Sequence, residues 1–133
     1  MTILRLENLR PLTDKTVSFG LLNDVEQWTL LDPVYKAYTK DLCGYAERGE
    51  KEWKRLLGSF FAEGVNIAVV KNDEGQIEGY AVYRLGAPEI PVTEFVYTTR
   101  RAQRGLLNYF YNHRSQGESI RWNEGLHDTG YRF

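Results

Sequence analysis

The chain is poor in the residues that build metal centres and disulfides. It has one cysteine and two histidines in 133 residues. Cys43, without a second thiol, can form neither an internal disulfide nor a thiolate metal cluster, and a reducing, intracellular setting suits it. His113 and His127 fall in no HExxH or Cys/His spacing, and Asp128 beside His127 would face the other way in an extended segment. No metal site and no His-based catalytic pair is expected. Charge of one sign is also lacking. A net charge of −1 provides no long-range attraction to nucleic acid or to an anionic membrane, and the only basic cluster is Arg100, Arg101 and Arg104. Long apolar runs are missing, and the opening MTILRLENLRPL is interrupted by Arg5, Glu7 and Arg10, where a signal peptide needs an unbroken apolar core. We therefore expect a soluble cytoplasmic protein with no nucleic-acid or membrane partner. Low-complexity segments and internal repeats are absent, and the four prolines and twelve glycines are spread over turns.

What the chain does have is apolar and aromatic mass. Hydrophobic residues make up 42% and aromatics 14%, enough for the core of one globular domain at this length but not of two. The stretch from Gly79 to Asn112 organises it. Tyr80 to Leu85 alternates, and Val92 to Tyr97 is rich in β-branched and aromatic residues, so two strands are predicted around a turn at Gly86 to Pro91. Thr99 is a good N-cap for a helix in which Ala102, Leu106 and Phe110 fall four apart, with Leu107 widening the stripe.

Around this centre, Thr2 to Leu6 reads as a short strand and Val17 to Leu22 as a strand or docked loop. Asp32-Pro33 has the form of a helix start, with Tyr35, Tyr38 and Leu42 on one face and Gly44 ending it. Trp53, Leu56, Leu57, Phe60 and Phe61 form the apolar face of a second helix, closed by Gly64, with Glu47 to Lys51 and Glu50 to Lys54 as i,i+4 pairs on its wet side. Val65 to Val70 is a strand, Asn72 to Gly75 a turn of hairpin type, and Ser119 to Trp122 a last strand. His113 and Arg114 sit in the last turn of the third helix, and Gly117 stops it. The expected architecture is α/β: a mixed, largely antiparallel sheet flanked by three helices. Residues 1–27 form an N-terminal strand and connector, and residues 28–133 form the domain.

Two strands, a short turn and a helix, in the order found from Gly79 to Asn112, resemble the acetyl-coenzyme A site of the GNAT N-acetyltransferases. There a Gln/Arg-x-x-Gly-x-Gly/Ala loop sets backbone N–H groups and a helix N-terminus against the cofactor's pyrophosphate. With Gly105 on the first glycine, the pattern requires Gln or Arg where Ala102 stands and a small residue where Leu107 stands. Tyr35-x-x-Tyr38 and Gly44-x-x-x-Arg48-x-x-x-x-Trp53 are similar to the opening of the central GNAT-type domain of Eis-like acetyltransferases, and the likeness covers roughly Trp28 to Phe133. That resemblance implies a parent enzyme with two GNAT-type domains in tandem. The parent would carry acetyl from acetyl-CoA to a small-molecule or lysine amine. Its central domain would bind no cofactor itself, and would shape the substrate cleft and a homo-oligomer interface beside the other domains. It also implies that the domain, which ends at Phe133 before a further helix and two strands, is C-terminally incomplete. A self-sufficient acetyltransferase with a divergent loop at Thr98 to Gly105, and an interaction module with no enzymatic parent, are the alternatives.

Within this frame Glu94, on the strand before the loop, is the candidate catalytic base. Pairing to an arginine is its ordinary use. Arg100, Arg101, Arg104 and Gly105 are the candidates for holding a cofactor phosphate, against a reading as exposed arginines that pair with Glu94 or other acids. Tyr97, Tyr109, Tyr111 and Tyr131 could each offer a hydroxyl to a departing thiolate, although tyrosines mostly pack with a polar tip. Cys43 reads as a small buried hydrophobe. Arg48, five residues before Trp53, is expected to stack or pair so as to fix the angle between the first two helices.

Overall fold

A computed structural model describes residues 2–6, 17–40, 47–86, 88–112, 117 and 119–122. Among these residues six strands form one sheet in the order β1-β6-β5-β4-β3-β2: β1 (Thr2–Arg5), β2 (Ser18–Leu21), β3 (Asn66–Lys71), β4 (Ile77–Tyr83), β5 (Glu89–Tyr97) and β6 (Ser119–Trp122). Every neighbouring pair is antiparallel except β5 and β6, which run parallel from Glu89 opposite Ser119 to Val92 opposite Trp122. Parallel neighbours need a long crossover, and α3 (Arg100–Asn112) lies in it. The α/β, largely antiparallel architecture expected from the sequence is thus the one observed. Segments 2–5 and 18–21, within the N-terminal strand and connector, supply the two edge strands of the sheet.

Both faces of the sheet are covered, because consecutive side chains of a strand point to opposite sides. Ala81 and Tyr83 of β4 join Val70, Phe95, Ala102, Leu106 and Phe110 under α3. Tyr80 and Val82 join Leu31, Tyr35, Trp53, Leu57 and Ile67 under α1 (Trp28–Thr39) and α2 (Glu50–Ala62). The β4–β5 register shifts at Thr93, so that Val82 opposes Glu94 while Tyr83 opposes Val92. This bulge breaks the alternation of β5: Val92 and Phe95 both enter the α3-side core, and Glu94 is left facing α1 and α2.

The helix starts follow their caps. Thr99 accepts the Ala102 N–H at 3.0 Å through Oγ1 and opens α3 as expected. Asp32-Pro33, in contrast, does not open α1. Upstream, Asp24 accepts the Glu26 N–H at 3.0 Å while the Gln27 side chain accepts the Asp24 N–H at 2.9 Å, a reciprocal cap that starts a 3-10 turn (Val25–Gln27) leading directly into α1 at Trp28. Pro33 therefore sits inside the helix, where its ring removes one backbone hydrogen bond. Helix α2 ends as expected at Gly64, whose φ of +74° is available to glycine at little cost.

Candidate functional site

Glu94 is the point where sheet and helices meet. Its side chain is 15% exposed and its two oxygens accept both terminal nitrogens of Arg48, at 3.1 and 2.5 Å. Oε1 also accepts the Tyr80 hydroxyl at 2.9 Å. Arg48 in turn is stacked: its Cζ lies 4.1 Å from the ring centre of Tyr35 on α1 and 4.8 Å from that of Trp53 on α2. The two rings meet edge to face, 5.4 Å apart at 83°. Trp53 donates its indole N–H to Asp32 at 2.8 Å, and Asp32 also holds Lys36 at 2.9 Å. The carboxylate expected as the α1 cap thus orients an indole instead.

The electrostatics of this cluster follow from burial and one ion pair. Burial would lower the Arg48 guanidinium, but the hydrogen bond and charge of Glu94 outweigh it and hold the group above its ordinary value. Burial, seconded by the Glu94 charge, pushes the Tyr80 phenol well up, so it stays a neutral donor. Burial likewise raises the Tyr35 phenol. Three of the about four lone-pair directions of the Glu94 carboxylate are taken by these donors, two on Oε1 and one on Oε2.

The residues considered for a cofactor lie elsewhere, at the start of α3. Arg100 and Arg104 are exposed, whereas Arg101 is turned inward onto Glu78 of β4, with Nε to Oε1 at 3.0 Å and Nη2 to Oε2 at 2.8 Å. Glu78 also accepts the Thr99 hydroxyl at 3.0 Å and the Asn72 side-chain amide at 2.9 Å. Its carboxyl is held below the ordinary range, chiefly by the Arg101 hydrogen bond, against the opposing effect of burial. None of the three arginines is paired with Glu94 among the described interactions; Arg48 is. Gly105 faces the sheet, where an added Cβ would lie 3.1 Å from Val70 Cγ2. Leu107 packs half-buried against the core under α3.

Among the tyrosines, Tyr109 shares a 2.6 Å hydroxyl contact with Tyr83, whose phenol is raised mainly by burial. Tyr97 packs edge to face on Tyr38 at 5.3 Å. Cys43, Gly44, His113, Arg114, His127, Asp128 and Tyr131 lie outside the described residues. Among those described, no three His, Cys, Asp or Glu side chains come together as a metal cage, and no helix is long and apolar enough to cross a membrane. The partners missed in the sequence are Tyr80 and Asp32. Arg48 and Glu94 stand 46 positions apart, and no local spacing joins them.

Residues 44–132 match the family model described as an acetyltransferase (GNAT) domain. No curated protein sequence matches the chain. Among solved structures, one similar chain is a conserved Enterococcus faecalis V583 protein described as a probable N-acyltransferase: 20% identity, TM-score 0.76, 90% of this chain and 30% of that one covered. A GCN5-related N-acetyltransferase from Anabaena variabilis ATCC 29413 is similar at 14% identity and TM-score 0.71, over 89% and 31% of the two chains. An acetyltransferase from Thermus thermophilus is similar at 15% identity and TM-score 0.66, over 77% and 71%. The chain spans about a third of the length of the first two. With a matching family model over two thirds of its residues and the same fold in these structures, the chain belongs to the GNAT acetyltransferase family.

Proposed function

We propose that this chain is a non-catalytic GNAT-type domain of a larger N-acetyltransferase, of the kind found at the centre of Eis-like enzymes. Its work is to shape the acceptor cleft and the oligomer interface while another domain of the parent holds acetyl-CoA. The amine acceptor is a small molecule or a lysine side chain. One observation carries this reading: Glu94, the strand carboxylate that could receive a proton from an amine, is clamped by Arg48 and Tyr80. The start of α3 agrees with it. A phosphate cradle needs cations and backbone N–H groups free to converge on an anion. Here Arg101 is committed to Glu78 and the Ala102 N–H to Thr99, while Gly105 lies inside α3 instead of in a loop and is committed to the packing of that helix on Val70. So committed, these residues do not fit a diphosphate. The span of about a third of longer acyltransferase-like chains supports a place beside other domains.

A calorimetric titration with acetyl-CoA tests the reading. The chain alone should give no binding heat and no rise in melting temperature, since only a ligand of the native state stabilises it. Adding the cofactor-binding domain of the parent should yield acetyl transfer faster than that domain alone. Saturable binding by this chain would favour a self-sufficient transferase, and no effect on the neighbour would favour an interaction module.

A further inference from the structure

We propose that Tyr35, Trp53, Tyr80 and Glu94 form a guanidinium-binding site that the chain fills with its own Arg48. The four residues come from α1, α2, β4 and β5, so the site is built by the tertiary fold and not by the loop that carries Arg48. Each supplies what a guanidinium needs. Glu94 offers two oxygens to the two terminal nitrogens, the fork geometry that carboxylate and guanidinium share. Tyr35 and Trp53 offer ring faces at 4.1 and 4.8 Å, which suit a flat, weakly hydrated cation better than a tetrahedral ammonium. Tyr80, fully buried, holds Glu94 in place through its hydroxyl, and the Trp53 ring is itself fixed by Asp32. An aromatic pair beside a positioned carboxylate is a cation receptor, and Arg48 is its tethered ligand. The tether explains why the site is closed to others: a guanidinium on the same chain competes at high effective concentration with any free one.

This goes beyond the proposed function and shares with it only the geometry of Glu94 with Arg48 and Tyr80. Its test contains no cofactor and no acetyl acceptor, so the two readings fail separately. The probe is ethylguanidinium, with neutral N-ethylurea as the isosteric control and ethylammonium as the charge control. For Arg48→Ala, thermal unfolding should show a saturable rise in melting temperature with ethylguanidinium. At a concentration ten times the dissociation constant, the unfolding equilibrium constant should fall roughly elevenfold. The native chain and the Arg48→Ala/Glu94→Gln double variant should show no such rise, ethylurea none, and ethylammonium a weaker one. If Arg48→Ala does not fold unaided, the readout is refolding yield in graded ethylguanidinium, with saturable recovery expected. No saturable effect in either format, an equal effect of ethylurea, or an effect that persists in the double variant would overturn the proposal.

Discussion

Replacing Glu94 with glutamine tests what the clamp contributes, because the shape is kept while the charge and one acceptor oxygen are lost. In the native chain the carboxylate accepts three hydrogen bonds, two of them from a guanidinium, at a site where its own exposure is 15% and that of Arg48 is 19%. A glutamine has one acceptor oxygen and turns an amide N–H₂ toward at least one of those donors. Arg48 then keeps its stacking but loses its counter-charge. Leaving a buried charge without its partner costs about 3–5 kcal/mol when burial is complete. Residual exposure and the surviving ring contacts reduce this to about 2–3 kcal/mol. For a chain of this length that corresponds to a fall in melting temperature of roughly 6–12 °C. Urea unfolding followed by tryptophan fluorescence, with calorimetry beside it, measures the change, and the slope of the urea transition should be unaltered. A loss below about 0.5 kcal/mol, the usual size of surface effects, would refute the view that this ion pair holds α1 and α2 on the sheet.

The packing of α3 predicts different behaviour at two glycines. An added Cβ at Gly79 would meet the Val96 carbonyl oxygen at 2.9 Å and Ala102 Cβ at 3.3 Å, so Gly79→Ala should cost about 1–3 kcal/mol of unfolding free energy. At Gly105 the tightest neighbour is a side-chain methyl of Val70 at 3.1 Å, and alanine gains about 1 kcal/mol of helix propensity, so Gly105→Ala should lie near neutral by denaturant melts. Acid stability should depend on Glu78. Its folded carboxyl is held below the ordinary 4.5, so the stabilisation is present above that value and lost as pH falls below it, and Glu78→Gln should flatten the acid limb of a stability-against-pH curve. At the alkaline end, the raised phenols of Tyr80 and Tyr83 give stability that is complete below 10.0 and lost as pH climbs past it. Ultraviolet titration should therefore show both ionising only as near-ultraviolet circular dichroism reports loss of the fold.

Much of the secondary structure was legible because its causes are local. Thr99 caps α3 three residues before the N–H it accepts, Gly64 and Gly75 stand where the backbone takes positive φ, and Ser119 to Trp122 is the strand expected. Helix α1 starts earlier than its composition suggests because two local signals compete. Asp32-Pro33 has the composition of a cap, but the Asp24 and Gln27 pair upstream satisfies the backbone reciprocally and takes the helix start. The stacking role expected of Arg48 is present, although the carboxylate it would choose could not be read from spacing.

What the amino-acid sequence determined by itself is the set of elements and their apolar faces, since periodicity, caps and turn glycines act over a few residues. What only the tertiary structure decided is the partnership at Glu94. A one-residue bulge at Thr93 turns that carboxylate from the α3 side of the sheet to the side of α1 and α2, and there an arginine 46 positions earlier waits between two rings. Which side a strand residue faces depends on register with its neighbours, and register is settled by packing across the whole sheet.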